Sequence, residues 1–115
     1  MKKPKEKGRR AELAWAKMIV DAGLDPNAKR MPLSGAVKGL DSDIWTKLPF
    51  MFELKNQESW KPLEYYRQAD LANPNKGRYR TAVVMTKNRE GFYVMISGED
   101  FLELVWYALR NEVMK

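Results

Sequence analysis

Four residues stand out for the chemistry that their types and spacing allow: Glu12, Asp43, Glu53 and Lys55. The chain contains no cysteine and no histidine, which excludes thiol nucleophiles, imidazole bases and thiolate zinc sites. Catalysis here must rest on carboxylates, lysine, tyrosine or a bound metal. With oxygen as the ligand type on offer, that metal is a hard cation, Mg²⁺ or Mn²⁺.

Strand alternation puts Met51, Glu53 and Lys55 on one face and Phe50, Phe52 and Leu54 on the other. The preceding run from Asp43 to Thr46 reads as a second strand and Lys47 to Pro49 as a tight turn, so a β-hairpin is expected. With the turn centred on Leu48, Asp43 lies opposite Glu53, their Cβ atoms about 5 Å apart. Facing carboxylates destabilise a sheet unless a cation lies between them, which makes both candidate metal ligands. Lys55, one step along the same face, could then point at a bound phosphate or an attacking water. For a lone Glu-x-Lys, an ordinary edge hairpin with its polar side in water is the competing reading. Asp41 shares the Asp43 face and competes for the ligand role.

Glu12 is a different case. At about 100° per residue it falls among Trp15, Ala16 and Ile19, almost opposite the solvent face of Arg10, Lys17 and Asp21. A carboxylate in that stripe needs compensation. Either a core Arg or Lys pairs with it, or it is catalytic or metal-linked.

These residues need elements to hold them. Gly8 to Gly23 carries alanines, Leu13, Trp15, Met18 and Ile19 at helical spacing, with Gly23 as a stop, and predicts a first helix. Asp25 to Gly39 reads as a loop, with a short extended piece around Ala28 to Met31. Pro62 in a first turn, then Leu63, Tyr66 and Ala69, predict a second helix that Asn73-Pro74-Asn75 ends. Thr81 to Thr86 and Phe92 to Ser97 predict a second hairpin across Lys87 to Gly91. Ser97 to Asp100 opens a last helix that is apolar on more than one side from Phe101 to Leu109, fit for a partner surface or for burial on two sides. In 115 residues this order predicts an α/β fold, a mixed β-sheet flanked by helices, in one domain over residues 9–115. Residues 1–8 are expected to be a basic, flexible arm.

The formal charge is +6, and residues 1–10 carry six basic side chains against the single acid Glu6. Such a run is either a solvated tail or an arm that lies along phosphates. Because basic residues recur further on, a polyanionic partner is the leading expectation. Lys7, Arg9, Arg10, Lys29, Arg30, Lys38, Lys61 and Arg67 are the candidate phosphate contacts. No base-reading motif is visible, so a nucleic-acid partner would be recognised by shape over sequence. For Trp60, Tyr65 and Tyr66 a core or hinge role is expected. A hydrophobic fraction of 44% without a membrane-length apolar run predicts a protein that does not span a membrane. The basic N-terminus lacks the apolar stretch of a secretory signal, so the cytoplasm, of a prokaryotic cell or a virus-infected host, is the expected compartment.

Asp43 followed by Phe52-Glu53-Leu54-Lys55, with an acid on a preceding helix, resembles the PD-(D/E)XK nuclease superfamily, although no proline precedes Asp43. Gly8-Arg9-Arg10-Ala11-Glu12, Arg30-Met31-Pro32-Leu33-Ser34-Gly35-Ala36 and Asp43-Ile44 are similar to the archaeal-type Holliday junction resolvases, including those encoded by viruses. The similarity runs from about Gly8 to Gln68. It implies a restriction-endonuclease-like core, Asp43 and Glu53 as metal ligands, Glu12 as an additional essential acid and Lys55 as the catalytic lysine. It also implies a role for Ser34, near the scissile strand, and for Gln68 on the helix after the Glu-x-Lys strand. The implied activity is a Mg²⁺- or Mn²⁺-dependent, structure-selective endonuclease that makes paired nicks in four-way DNA junctions as a homodimer. The last helix, with Trp106 and Tyr107, is compatible with that dimer. A repair or restriction-type nuclease is the alternative within the class. A non-catalytic nucleic-acid-binding module is the alternative outside it, and the intact quartet argues against that.

Overall fold

The computed structural model of the chain describes residues 4–31, 42–88 and 90–113. Helix α1 (Pro4–Asp21) leads to β1 (Lys29–Arg30), β2 (Ile44–Trp45) and β3 (Phe50–Asn56). Helix α2 (Pro62–Ala72), β4 (Arg80–Thr86), β5 (Tyr93–Met95) and α3 (Gly98–Val113) follow. The expected α/β architecture is present, with a mixed sheet in the order β3-β4-β5 and helices against it.

Helix α1 starts at Pro4 rather than Gly8, so residues 4–8 of the expected flexible arm are helical. Proline is tolerated in a first turn, where its missing N–H would have no intrahelical partner. The other end is as expected. Gly23 adopts φ 77°, its N–H bonds to the Val20 carbonyl, and the Leu24 N–H reaches back to Ile19, a six-to-one closure that only a left-handed residue permits cheaply.

The first expected hairpin does not form as a ladder. Strand β2 pairs antiparallel with β1, Lys29 against Trp45 and Arg30 against Ile44. Strand β3 instead runs parallel to β4, from Phe50 beside Arg80 to Asn56 beside Thr86. A parallel pair needs a crossover, and α2 supplies it. The second hairpin forms as expected, with Val84 against Val94.

Both faces of the sheet are covered, so β4 reads as an unbroken apolar run rather than an alternating one. Ala82, Val83 and Val84 are fully buried. On one face Phe52, Leu54, Ala82 and Val84 pack with Ala11, Ala16 and Ile19 of α1. Trp15 meets Phe52 edge to face at 5.6 Å between ring centres. On the other face Met51, Val83 and Met85 pack with Tyr65 and Ala69 of α2. The face expected to be charged is therefore apolar at Met51, and only Glu53 and Lys55 emerge from it. Among the described residues no helix is long and apolar enough to cross a membrane.

Candidate metal centre

Strand β3 fixes Glu53 and Lys55 two residues apart on the α2 side of the sheet. Lys55 Nζ lies 3.8 Å from Glu53 Oε1, and each side chain keeps about a quarter of its surface exposed (25% and 29%). Lys55 also sits over the Tyr65 ring, 5.2 Å from its centre, so the aromatic face helps hold the ammonium in place.

Asp43 arrives from the foot of β2 and replaces the missing ladder with its own groups. Its backbone N–H donates to the Phe52 carbonyl at 2.8 Å, and its Oδ2 accepts the Leu54 N–H at 2.8 Å. Ser42 completes the join, its Oγ accepting the Phe52 N–H at 3.1 Å and the Ile44 N–H at 3.2 Å. Two side chains thus occupy β3 backbone positions that a strand would otherwise pair, which is why β2 meets β3 at one point only. The consequence is chemical: the Asp43 carboxylate is tied to the backbone between Glu53 and its neighbour Leu54.

The electrostatics follow from that placement. Burial, then the adjacent Glu53 charge, push the Asp43 carboxyl up from 3.8 to about 7. Glu12 adds a smaller push in the same direction, while the Leu54 N–H and Lys55 oppose it. The Asp43 carboxyl thus feels the charges of Glu12, Glu53 and Lys55.

Glu12, however, is taken. Arg30 on β1 donates from Nε to Glu12 Oε1 at 2.6 Å, with only 13% of the Glu12 side chain exposed. The ion-pair reading of Glu12 is the one realised here, and Arg30, expected to contact phosphate, is its partner. Among the described residues no three acids stand close enough to hold an ion. What suits a hard cation is the Asp43 and Glu53 pair, two oxygen ligands whose mutual repulsion a cation would relieve.

The remaining expected residues fall around this centre. Lys7 lies on α1 where its carbonyl accepts the Asn56 side-chain amide at 3.2 Å, placing the basic start of α1 at the end of β3. Arg9 and Arg10 are exposed on the same helix. Lys29 is exposed, 6.0 Å from the centre of the Trp45 ring. Lys61 and Arg67 are exposed at α2. Gln68 is exposed on α2. Ser34, Lys38 and Asp41 lie outside the described residues.

Two residues escaped the sequence reading. Ser42 could have been suspected, since a serine beside a strand end readily bonds local backbone. Asp25 is almost fully buried and accepts from Thr46 Oγ1 at 2.6 Å and from the Lys47 N–H at 2.9 Å. Those bonds, Thr46 first, hold its carboxyl below the usual range, and they pin the turn before β3 to the turn after α1.

A family model described as phage putative PDDEXK endonuclease matches residues 3–114. No curated protein and no solved structure matches the chain. The match spans nearly all of a sequence whose Asp43, Glu53 and Lys55 already meet at one sheet edge, and the chain belongs to this family of PD-(D/E)XK endonucleases.

Proposed function

We propose that this endonuclease is structure-selective and metal-dependent, that it cuts branched DNA, and that the four-way junction is its substrate. The observation that carries the metal-dependent reading is the opposition of Asp43 to Glu53 with Lys55 beside them. The junction preference is supported by the likeness of Gly8 to Glu12 and Arg30 to Ala36 to the junction resolvases, and by the absence of a base-reading motif.

Asp43 and Glu53 would hold Mg²⁺ or Mn²⁺, which when bound supplies charge to the phosphate oxygens and acidifies a water. Asp43 must be ionised to serve, so its proton leaves before or as the ion arrives. Lys55, held against Glu53 and the Tyr65 ring, orients the attacking water or takes up charge developing on the phosphate. Glu12 joins the ligand set only by exchanging Arg30, whose guanidinium then becomes available to a DNA phosphate. Lys7, Arg9, Arg10, Lys29, Lys61 and Arg67 supply salt-sensitive backbone contacts around the site.

The test is cleavage of a labelled four-way junction and of the matching linear duplex, each with Mg²⁺, Mn²⁺ or EDTA, by wild type and Glu53→Gln. Paired nicks confined to the junction and lost in the variant are expected. Equal cutting of the duplex would keep the endonuclease and remove junction selectivity. Metal-independent cutting, or cutting that survives the substitution, would remove the assigned centre.

A further inference from the structure

Sheet register carries the candidate centre sideways to an aromatic corner. Lys55 stands beside Met85 on β4, and Met85 beside Tyr93 on β5, so the three form one row on the α2 side of the sheet. Neighbouring strands lie about 4.8 Å apart, which sets Tyr93 roughly 10 Å from Lys55 along that row. Tyr93 is 53% exposed, and its ring centre lies 5.5 Å from that of Trp60 at a tilt of 55°. Lys87 Nζ stands over the same indole, 5.6 Å from its centre. Gln57 ties this corner to the centre: its backbone carbonyl accepts the Trp60 indole N–H at 2.8 Å, its side-chain carbonyl accepts the Tyr65 hydroxyl, and Lys55 sits over the Tyr65 ring. Packing against Tyr65 and Met85 accounts for Trp60. It leaves Tyr93 half in water, with a lysine beside the pair.

We propose that Tyr93 and Trp60 form a stacking corner for an unpaired DNA base, with Lys87 on the adjoining phosphate, next to the strand cut at the candidate centre. Bases inside a duplex have both faces covered by their neighbours. An exposed ring can therefore stack only where the helix is open, at a branch, a gap or a single-stranded arm. Stacking on an aromatic ring tolerates any base and is commonly joined to a positive charge that tracks the backbone, in keeping with a chain that carries no base-reading motif. The 55° tilt suits one base laid on Tyr93 with its edge against Trp60, rather than a base sandwiched between parallel rings. A span of roughly 10 Å equals about three base steps at duplex rise, so the stacked base lies within about three nucleotides of the cut. The corner thereby favours open over continuous helix without reading sequence.

The inference rests on the reading of Asp43, Glu53 and Lys55 as the cutting centre, and the experiment separates the two by working without metal. Fluorescence anisotropy in EDTA would measure binding of the full chain to a labelled duplex and to the same duplex interrupted by a short single-stranded gap. Wild type should favour the gapped DNA, and Tyr93→Leu should reduce that preference about tenfold. Tyr93→Phe, which keeps the ring, should retain it. 2-Aminopurine placed in turn at each gap position should be quenched by wild type at one of them and stay bright with Tyr93→Leu. A preference that Tyr93→Leu leaves unchanged, an equal loss on both DNAs, or a probe that stays bright at every position with wild type overturns the proposal. Metal-dependent cleavage that survives Glu53→Gln would remove the centre while leaving these binding readouts standing, so the two failures are distinguishable.

Discussion

Replacing Asp43 by Asn should stabilise the metal-free protein while abolishing cleavage, and the gain should depend on pH in a defined direction. The folded carboxyl has been raised from 3.8 to about 7, and each unit is worth about 1.4 kcal/mol. Between those values the folded chain holds a proton that the unfolded chain has released, so folding stability falls as pH rises through the window. The full penalty, about 4 kcal/mol as an upper figure, is reached above pH ~7. Asn cannot ionise, yet its carbonyl oxygen can still accept the Leu54 N–H that Asp43 Oδ2 accepts now. Urea denaturation with EDTA at low, intermediate and high pH would give the comparison directly. The variant should match the wild type near pH ~4 and exceed it by about 2–4 kcal/mol near pH ~8. Added Mg²⁺ or Mn²⁺ should then recover much of the difference for the wild type alone, because the ion binds only the folded carboxylate pair. A stability difference that does not change with pH, or a wild type that is the more stable at high pH without metal, would refute the electrostatic account of the site.

Arg30→Gln should destabilise the fold by about 3 kcal/mol, since it strands a Glu12 carboxylate that is mostly buried; the Glu12→Gln, Arg30→Gln double variant should recover most of that in the same denaturation assay. Gly23→Ala should cost about 1–2 kcal/mol by forcing an alanine to φ 77°, read as a lower melting temperature with unchanged cleavage. Removing the charges of Arg9 and Arg10 together should weaken junction binding and reduce the slope of log affinity against log salt by about two, measured by fluorescence anisotropy with the Glu53→Gln protein.

How much of this was legible beforehand depended on the range of the interactions involved. The helices around Ala11, Tyr65 and Val105 follow from local periodicity and from stops at Gly23 and Asn73, which act within a turn. The Glu53 and Lys55 relation follows from the alternation of one strand. What the sequence could not disclose was partner choice over long range. Strand β3 pairs with β4 in parallel because α2 carries the chain across, and Asp43 side-chain and Ser42 hydroxyl groups then occupy β3 on its other side. A hairpin and a side-chain join look alike in the residues from Asp43 to Lys55, because both bring Asp43 to Glu53. Arg30 was hidden for the same reason: nothing local to it announces a carboxylate eighteen positions earlier.

The β1–β2 pairing has one more consequence. Met31 donates its N–H to the Asp43 carbonyl at 2.9 Å, so the two ends of the stretch over residues 32–41 are clamped together immediately beside the candidate metal ligand. Chain inserted between fixed anchors costs little, about 0.6 kcal/mol for each doubling of length. Length changes in that stretch therefore cost the chain little in closure entropy while Met31 and Asp43 stay joined.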